Sequence, residues 1–143
     1  MVETLAQTAH ILEESFLIYI TGKKHLGTAE RALNHLIYKT EKLVDLAYDL
    51  INGVYTEEIL EGDYKPDSEF GQILDIFVRA FRLAIISKNE KIKSESKIIM
   101  LKILRKIVEI VDEYADGHSP NIYGVLSSLQ NVNNTLKELE KQS

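Results

Sequence analysis

Apolar residues recur at steps of three and four along most of the 143-residue chain, and this periodicity constrains the fold more than any other feature. Steps of three and four return to the same face of an α-helix, so each run describes one buried stripe. Only two prolines and seven glycines interrupt the runs. The pattern therefore predicts an all-α fold, an up-and-down antiparallel bundle of five long helices plus one short helix. Four of the long helices form the main bundle in this prediction, and the fifth covers a flank.

Length and composition indicate a single folded unit. A chain of 143 residues is close to the commonest size of one domain, so we expect one helical-bundle domain over residues 1–143. The hydrophobic fraction of 45% and the charged fraction of 27% are ordinary for a globular protein. The absence of cysteine excludes disulfides, thiolate metal sites and cysteine nucleophiles.

Local signals mark the helices of the first half. Thr4 and Gln7 have the spacing of a capping box, which predicts a first helix over residues 4–21. Thr28 is the predicted cap of a second helix, and Gly53 is its predicted end.

Three further helices are predicted between Gly53 and Ala115. Thr56 opens the short helix around residues 56–61, and Asp67 or Ser68 caps a long helix that reaches about Ile86. The next helix has a poorly marked start, between Glu90 and Ser94, and reaches Ala115. These last two helices have only narrow polar stripes. Because one chain of this size cannot easily cover both, we expect a homodimer.

Ser119 and Pro120 have the spacing of a cap followed by a proline at the first helical position, which predicts the start of the final helix. Its apolar residues alternate steps of three and four, the pattern of a coiled-coil seam. We predict that this seam is an interaction face, formed by Ile122, Val125, Leu129, Val132, Leu136 and Leu139.

Charge is distributed unevenly along the chain. Residues 41–75 contain ten acidic against two basic side chains, whereas residues 79–106 contain nine basic against two acidic. Three explanations remain open: internal alignment of oppositely charged helices, self-association, or binding of a nucleic acid or another polyanion. Against nucleic acid, the net charge is −5 and no aromatic residue lies among the cations from Lys88 to Lys106 to stack on bases. The interaction residues predicted from this segment are Arg79, Arg82, Lys97, Lys102, Arg105 and Lys106.

Clustered carboxylates suggest an enzymatic alternative. Glu57, Glu58 and Glu61 resemble the first half of the EExxE motif of all-helical nucleoside-triphosphate pyrophosphatases of the MazG kind. The resemblance covers five residues and implies magnesium held by carboxylates that also contact substrate phosphates. That family's second half, Glu-x-x-Asp, is matched here only by Glu109 and Asp112, far downstream. The catalytic residues of this alternative are therefore Glu57, Glu58, Glu61, Glu109 and Asp112.

Other chemistry finds no support in the sequence. The four histidines form no metal-ligand spacing, and no phosphate-binding glycine loop or serine-hydrolase motif occurs, so we expect no metal and no cofactor. The first nine residues lack the pattern of a secretory signal, which predicts a cytoplasmic protein without a membrane partner. The leading hypothesis is an interaction protein that acts by self-association or by binding an unidentified protein. Magnesium-dependent hydrolysis and nucleic-acid association through residues 79–106 remain alternatives.

Overall fold

The computed structural model describes residues 3–22 and 26–143, and it confirms the all-α helical bundle. The chain is 81% helical and the described residues include no strand. A 3-10 helix, Glu57–Leu60, stands where the short helix was predicted. The α-helices are α1 (Leu5–Thr21), α2 (Leu26–Ile51), α3 (Glu69–Ile86), α4 (Glu90–Ala115), α5 (Ile122–Ser128) and α6 (Gln130–Gln142).

Helices α1 to α4 form a four-membered ring in which α1 contacts α2 and α3, and α4 contacts the same two helices. Neighbours in the ring run antiparallel. Phe16, near the end of α1, stacks on Phe70 at the start of α3, with ring centroids 4.4 Å apart. Ile37, early in α2, lines a cavity together with Val111, late in α4. The large side chains at the centre have no exposed surface, among them Leu12, Leu43, Phe77, Phe81 and Ile103.

A crossover over residues 52–68 carries the chain from one end of the bundle to the other. The end of α2 and the end of α3 line one cavity, so α3 must begin at the opposite end of the bundle. The crossover passes Arg82 of α3, which donates from Nε to the carbonyl oxygen of Leu60 at 3.0 Å. It ends beside Glu13 of α1, whose carboxylate accepts hydrogen bonds from the backbone N–H groups of Asp67 and Ser68. The crossover therefore covers the side of the ring formed by α1 and α3.

Two of the predicted helix caps form their hydrogen bonds in the structure, and a third, Thr56, precedes the 3-10 helix without a side-chain cap. Thr4 and Gln7 form the reciprocal capping box of α1. Ser68 caps α3 by accepting from the Gly71 N–H. Asn89 caps α4, whose start at Glu90 is the earliest of the predicted positions.

Two predicted caps are wrong. Helix α2 begins at Leu26, so Thr28 lies inside the helix. Asn121 takes the place of Ser119 and Pro120 as the cap of α5, and its side chain accepts from the Gly124 N–H. Asparagine and serine are comparable N-cap residues, and Asn121 stands directly before the first helical residue, Ile122, so Ser119 and Pro120 fall outside the helix.

The predicted final helix is divided at Leu129 into α5 and α6, which lie against α3 and α4. The break lets both halves present their apolar residues to the bundle. Among the described helices, none combines the length and the apolarity needed to cross a membrane.

Candidate interaction surface

The carboxylates of the enzymatic alternative lie on two opposite sides of the bundle. Glu57 and Glu58 are in the 3-10 helix and Glu61 follows it, on the crossover that covers α1 and α3. Glu109 and Asp112 are on α4 and line cavities that face α2. The structure does not bring the two groups together. Among residues 3–22 and 26–143, no three histidine, aspartate or glutamate side chains are placed to hold a metal ion.

Two of the predicted interaction arginines make contacts within the chain. Arg79 donates to the Glu140 carboxylate at 2.5 Å and to Asn133 Oδ1 at 2.9 Å, which fastens α6 to α3. Arg82 donates to the carbonyl oxygens of Leu60 and Gly62 and so holds the crossover. Both guanidinium groups are thereby engaged inside the molecule.

The apolar seam of the last helix is also an internal contact. Leu129, Leu136 and Leu139 are buried, with exposed fractions of 1%, 0% and 5%. Ile122, Val125 and Val132 are half-buried and pack against the same core. The seam predicted as an interaction face therefore holds α5 and α6 on their own bundle.

The remaining predicted cations lie on α4. Lys97, Lys102 and Arg105 are exposed, and none has an ion-pair partner within 4.0 Å among the residues that the structure describes. Lys106 is half-buried and lies 3.6 Å from Glu109, one turn away on the same helix. The structure therefore leaves three of the six predicted cations exposed and unpaired.

An apolar groove runs between α2 and α4, and its lining residues all belong to these two helices. Its central cavity has a volume of about 360 Å³. A smaller cavity of about 190 Å³ continues it toward the start of α2, and Val44 and Val108 line both. Tyr48 stands at the groove edge with 63% of its surface exposed. The other apolar residues of the central cavity are Ala47, Ile51, Leu101 and Leu104.

Charges are segregated along this groove. Glu41 and Asp45 of α2 line the smaller cavity together with Asp112 of α4, so acids of both helices meet at one end. Toward the other end, α4 carries the cations Lys97 and Arg105. Internal alignment of oppositely charged helices was one explanation of the uneven distribution of charge along the sequence. It does not describe α2 and α4, because like charges are adjacent and no ion pair joins the two helices among their described residues.

The groove was missed by the sequence analysis, although a signal for it was present. Leu101 and Val108 lie on α4 at the edge of the stripe that packs into the core, and both are half-buried. On the same helix Ile98 is 67% exposed. Apolar residues on a second face of a helix indicate a second contact, but periodicity does not say whether the same chain makes it.

A buried carboxylate on α1 was missed as well. Glu13 is 2% exposed and accepts the Ser68 hydroxyl at 2.5 Å in addition to the two backbone donors. Its position directly after Leu12 and three before Phe16, on the buried side of α1, was the available signal. Its donors are all supplied by the protein itself, so Glu13 is a structural cap of α3.

Comparison with known proteins returned no matching family model, no matching curated protein and no matching solved structure.

Proposed function

We propose that this chain is a self-associating interaction protein whose α2–α4 face binds the same face of a second copy. One observation carries the proposal. The face has an apolar centre, acids at one end and unpaired cations at the other. A surface with these features is complementary to itself.

The charges select the arrangement of the two copies. A two-fold axis lying in the interface and perpendicular to the helices turns the second copy end over end. Because this rotation stacks each helix on its own counterpart, Glu41 and Asp45 of one copy lie at the same level as Lys102 and Arg105 of the other, on the adjacent helix. The apolar side chains of the central cavity, Val44, Ala47, Leu104 and Val108, surround the axis. This arrangement also offsets the unfavourable order of charges on α4, whose cations lie toward its own positive N-terminal end.

The paired part of the face sets the size of the contact. Residues 37–51 of α2 lie beside residues 101–112 of α4 along the groove. At 1.5 Å per residue and about 10 Å per helix width, the paired face measures about 22 by 20 Å, or about 440 Å². Two copies then bury about 880 Å² in total, the size of a weak, reversible interface rather than of a standard one.

Charge reversal tests the proposal with two variants. One carries Glu41→Lys and Asp45→Lys, and the other carries Lys102→Glu and Arg105→Glu. Each variant alone places like charges across the two-fold axis, so we expect each to have the mass of a monomer. When the two are mixed, opposite charges face each other at both ends of the interface, so we expect a heterodimer. Light scattering during size-exclusion chromatography measures the masses.

Two control variants separate this outcome from a general effect of charge. Glu57→Lys with Glu58→Lys changes two exposed acids on the crossover, and Lys137→Glu changes an exposed cation on α6. Both controls should dimerise like the unmodified chain. The proposal is wrong if the reversed variants remain dimers or if mixing fails to restore the dimer.

A further inference from the structure

A second cavity lies at the end of the bundle where α2 and α3 end and α4 begins. Its volume is about 290 Å³. Specific ligand sites begin near 300 Å³, and a buried cavity of about 150 Å³ already accommodates benzene. The space therefore suits a small molecule rather than a peptide or a helix.

The cavity has an apolar floor and a polar rim. Leu50, Phe81 and Met100 form the floor, with exposed fractions of at most 1%. Lys93 and Lys97 stand on the rim one turn apart on α4. A ligand that fills this space would contact hydrocarbon at one end and ammonium groups at the other.

The two rim lysines lack internal partners. Neither has a carboxylate within 4.0 Å or a side-chain hydrogen bond in the part of the chain that the structure describes. Glu90 also lines the rim, so the cavity residues carry a net charge of about +1. The first turn of α4 adds positive potential from the helix dipole. Its N–H groups at Lys91 and Ile92 are already bonded to Asn89 Oδ1, so the ammonium groups are the donors that remain.

We infer that this cavity binds a small amphipathic anion, a single carboxylate on an apolar chain or ring. The apolar part replaces water over Phe81 and Met100, where burial contributes about 25 cal/mol per Å². The carboxylate pairs with Lys93 and Lys97 and brings the rim charge close to zero. An ammonium head would be repelled, and an alcohol would form weaker, uncharged hydrogen bonds.

Three probes with the same eight-carbon chain test this assignment. Octanoate, octanol and octylammonium are titrated separately into ¹⁵N-labelled protein, and amide shifts are followed by NMR below the critical micelle concentration of each probe. We expect saturable shifts with octanoate at amides around Lys93, Ser94 and Met100. Octanol should bind at least about tenfold more weakly, since one charge-assisted hydrogen bond contributes about 1.5–3 kcal/mol. Octylammonium should produce no saturable shift at these amides.

Lysine variants locate the binding site on the rim. Lys93→Ala with Lys97→Ala should weaken octanoate binding by at least about tenfold, whereas Lys93→Arg with Lys97→Arg keeps the charges and should change it by less than about threefold. Lys88→Ala with Lys91→Ala removes two exposed cations around the start of the same helix that do not line the cavity, and should leave binding unchanged. The rim lysines are exposed or half-buried, so these variants should fold, which the NMR spectra report directly.

Several results would overturn the assignment. Octanol or octylammonium could bind as tightly as octanoate, octanoate could fail to saturate, or the alanine pair could bind it unchanged. The inference does not rest on self-association, because of the residues lining this cavity only Ile51 also lines the central groove cavity. A monomeric chain that binds octanoate would contradict the dimer and leave this site intact.

Discussion

At the scale of single residues, Glu13 has the clearest structural role. One carboxylate oxygen accepts the backbone N–H groups of Asp67 and Ser68 at 3.1 and 3.0 Å and the Ser68 hydroxyl at 2.5 Å. These contacts fasten the end of the crossover to α1 and fix the start of α3. A glutamate in a helix is normally solvated, so the residue type alone does not predict this role.

Replacing Glu13 by glutamine should lower the free energy of unfolding by about 2 kcal/mol, because three hydrogen bonds lose their charged acceptor inside the protein. Glu14→Gln is the matched control. Its carboxylate is 58% exposed and pairs with the exposed His10, so the expected loss is below about 0.5 kcal/mol. Urea unfolding at one fixed protein concentration measures both. Equal losses of unfolding free energy in the two variants would show that the Glu13 contacts stabilise the fold no more than the exposed Glu14 carboxylate does.

Tyr64 makes the free energy of unfolding fall at alkaline pH. Its side chain is 8% exposed, and its hydroxyl makes no hydrogen bond of normal geometry to a described residue. Burial raises the pKa of Tyr64 well above 10, and the nearby Glu13 carboxylate raises it further. The unfolded chain therefore loses this proton at lower pH than the folded chain does. Stability is complete below about pH 10 and falls above it, by up to about 1.4 kcal/mol per pH unit for this one group.

Tyr64→Phe should make the alkaline fall in unfolding free energy less steep by up to about 1.4 kcal/mol per pH unit. Some slope should remain, because burial also raises the pKa of Tyr114. Tyr123→Phe, at a position 69% exposed, is the control and should retain the slope of the unmodified chain. The account of Tyr64 fails if its removal leaves that slope unchanged. Urea unfolding between pH 8 and about pH 11 provides the data.

At the scale of elements, periodicity and capping residues predicted most helices, because those signals act within a few residues. Thr4 with Gln7 and Ser68 with Gly71 are such local pairs. The break at Leu129 was not predicted, since the apolar spacing continues through it. The crossover was not predicted either, because its position depends on contacts with α1 and α3 that are distant in sequence.

Gly71 sets how closely α3 approaches α1. A Cβ atom at this position would lie 1.8 Å from Glu13 Oε2 and 2.8 Å from Pro66 Cβ. Alanine normally stabilises a helix by about 1 kcal/mol relative to glycine. Here it must displace the buried carboxylate, so we expect Gly71→Ala to destabilise the fold by about 2–4 kcal/mol.

Gly27→Ala is the matched control for this substitution. Among the described residues outside its own neighbourhood, no atom lies within 4 Å of the added Cβ, so we expect a change between zero and a gain of about 1 kcal/mol. Thermal and urea unfolding of both variants measure the difference. A Gly71→Ala variant as stable as the control would mean that α1 and α3 do not approach as closely as described.

At the scale of the whole molecule, the arrangement of charged surfaces could not be predicted from the sequence. The uneven charge was visible, but its consequence depends on which helices become neighbours. The ring places Glu41 and Asp45 beside Asp112 rather than beside the cations of α4. The expectation that α3 needs a partner subunit also changes, since α1, α4, α5 and α6 all pack against it. The unsatisfied apolar surface lies instead in the groove between α2 and α4.

Sedimentation velocity of the unmodified chain tests self-association most directly. The account predicts a species of twice the 16.3 kDa chain mass at tens of micromolar and about 0.1 M salt. It also predicts more monomer at about 1 M salt, where screening shortens the Debye length to about 3 Å and weakens the contacts between charged ends. A single 16.3 kDa species at every concentration and both salt conditions would contradict the account.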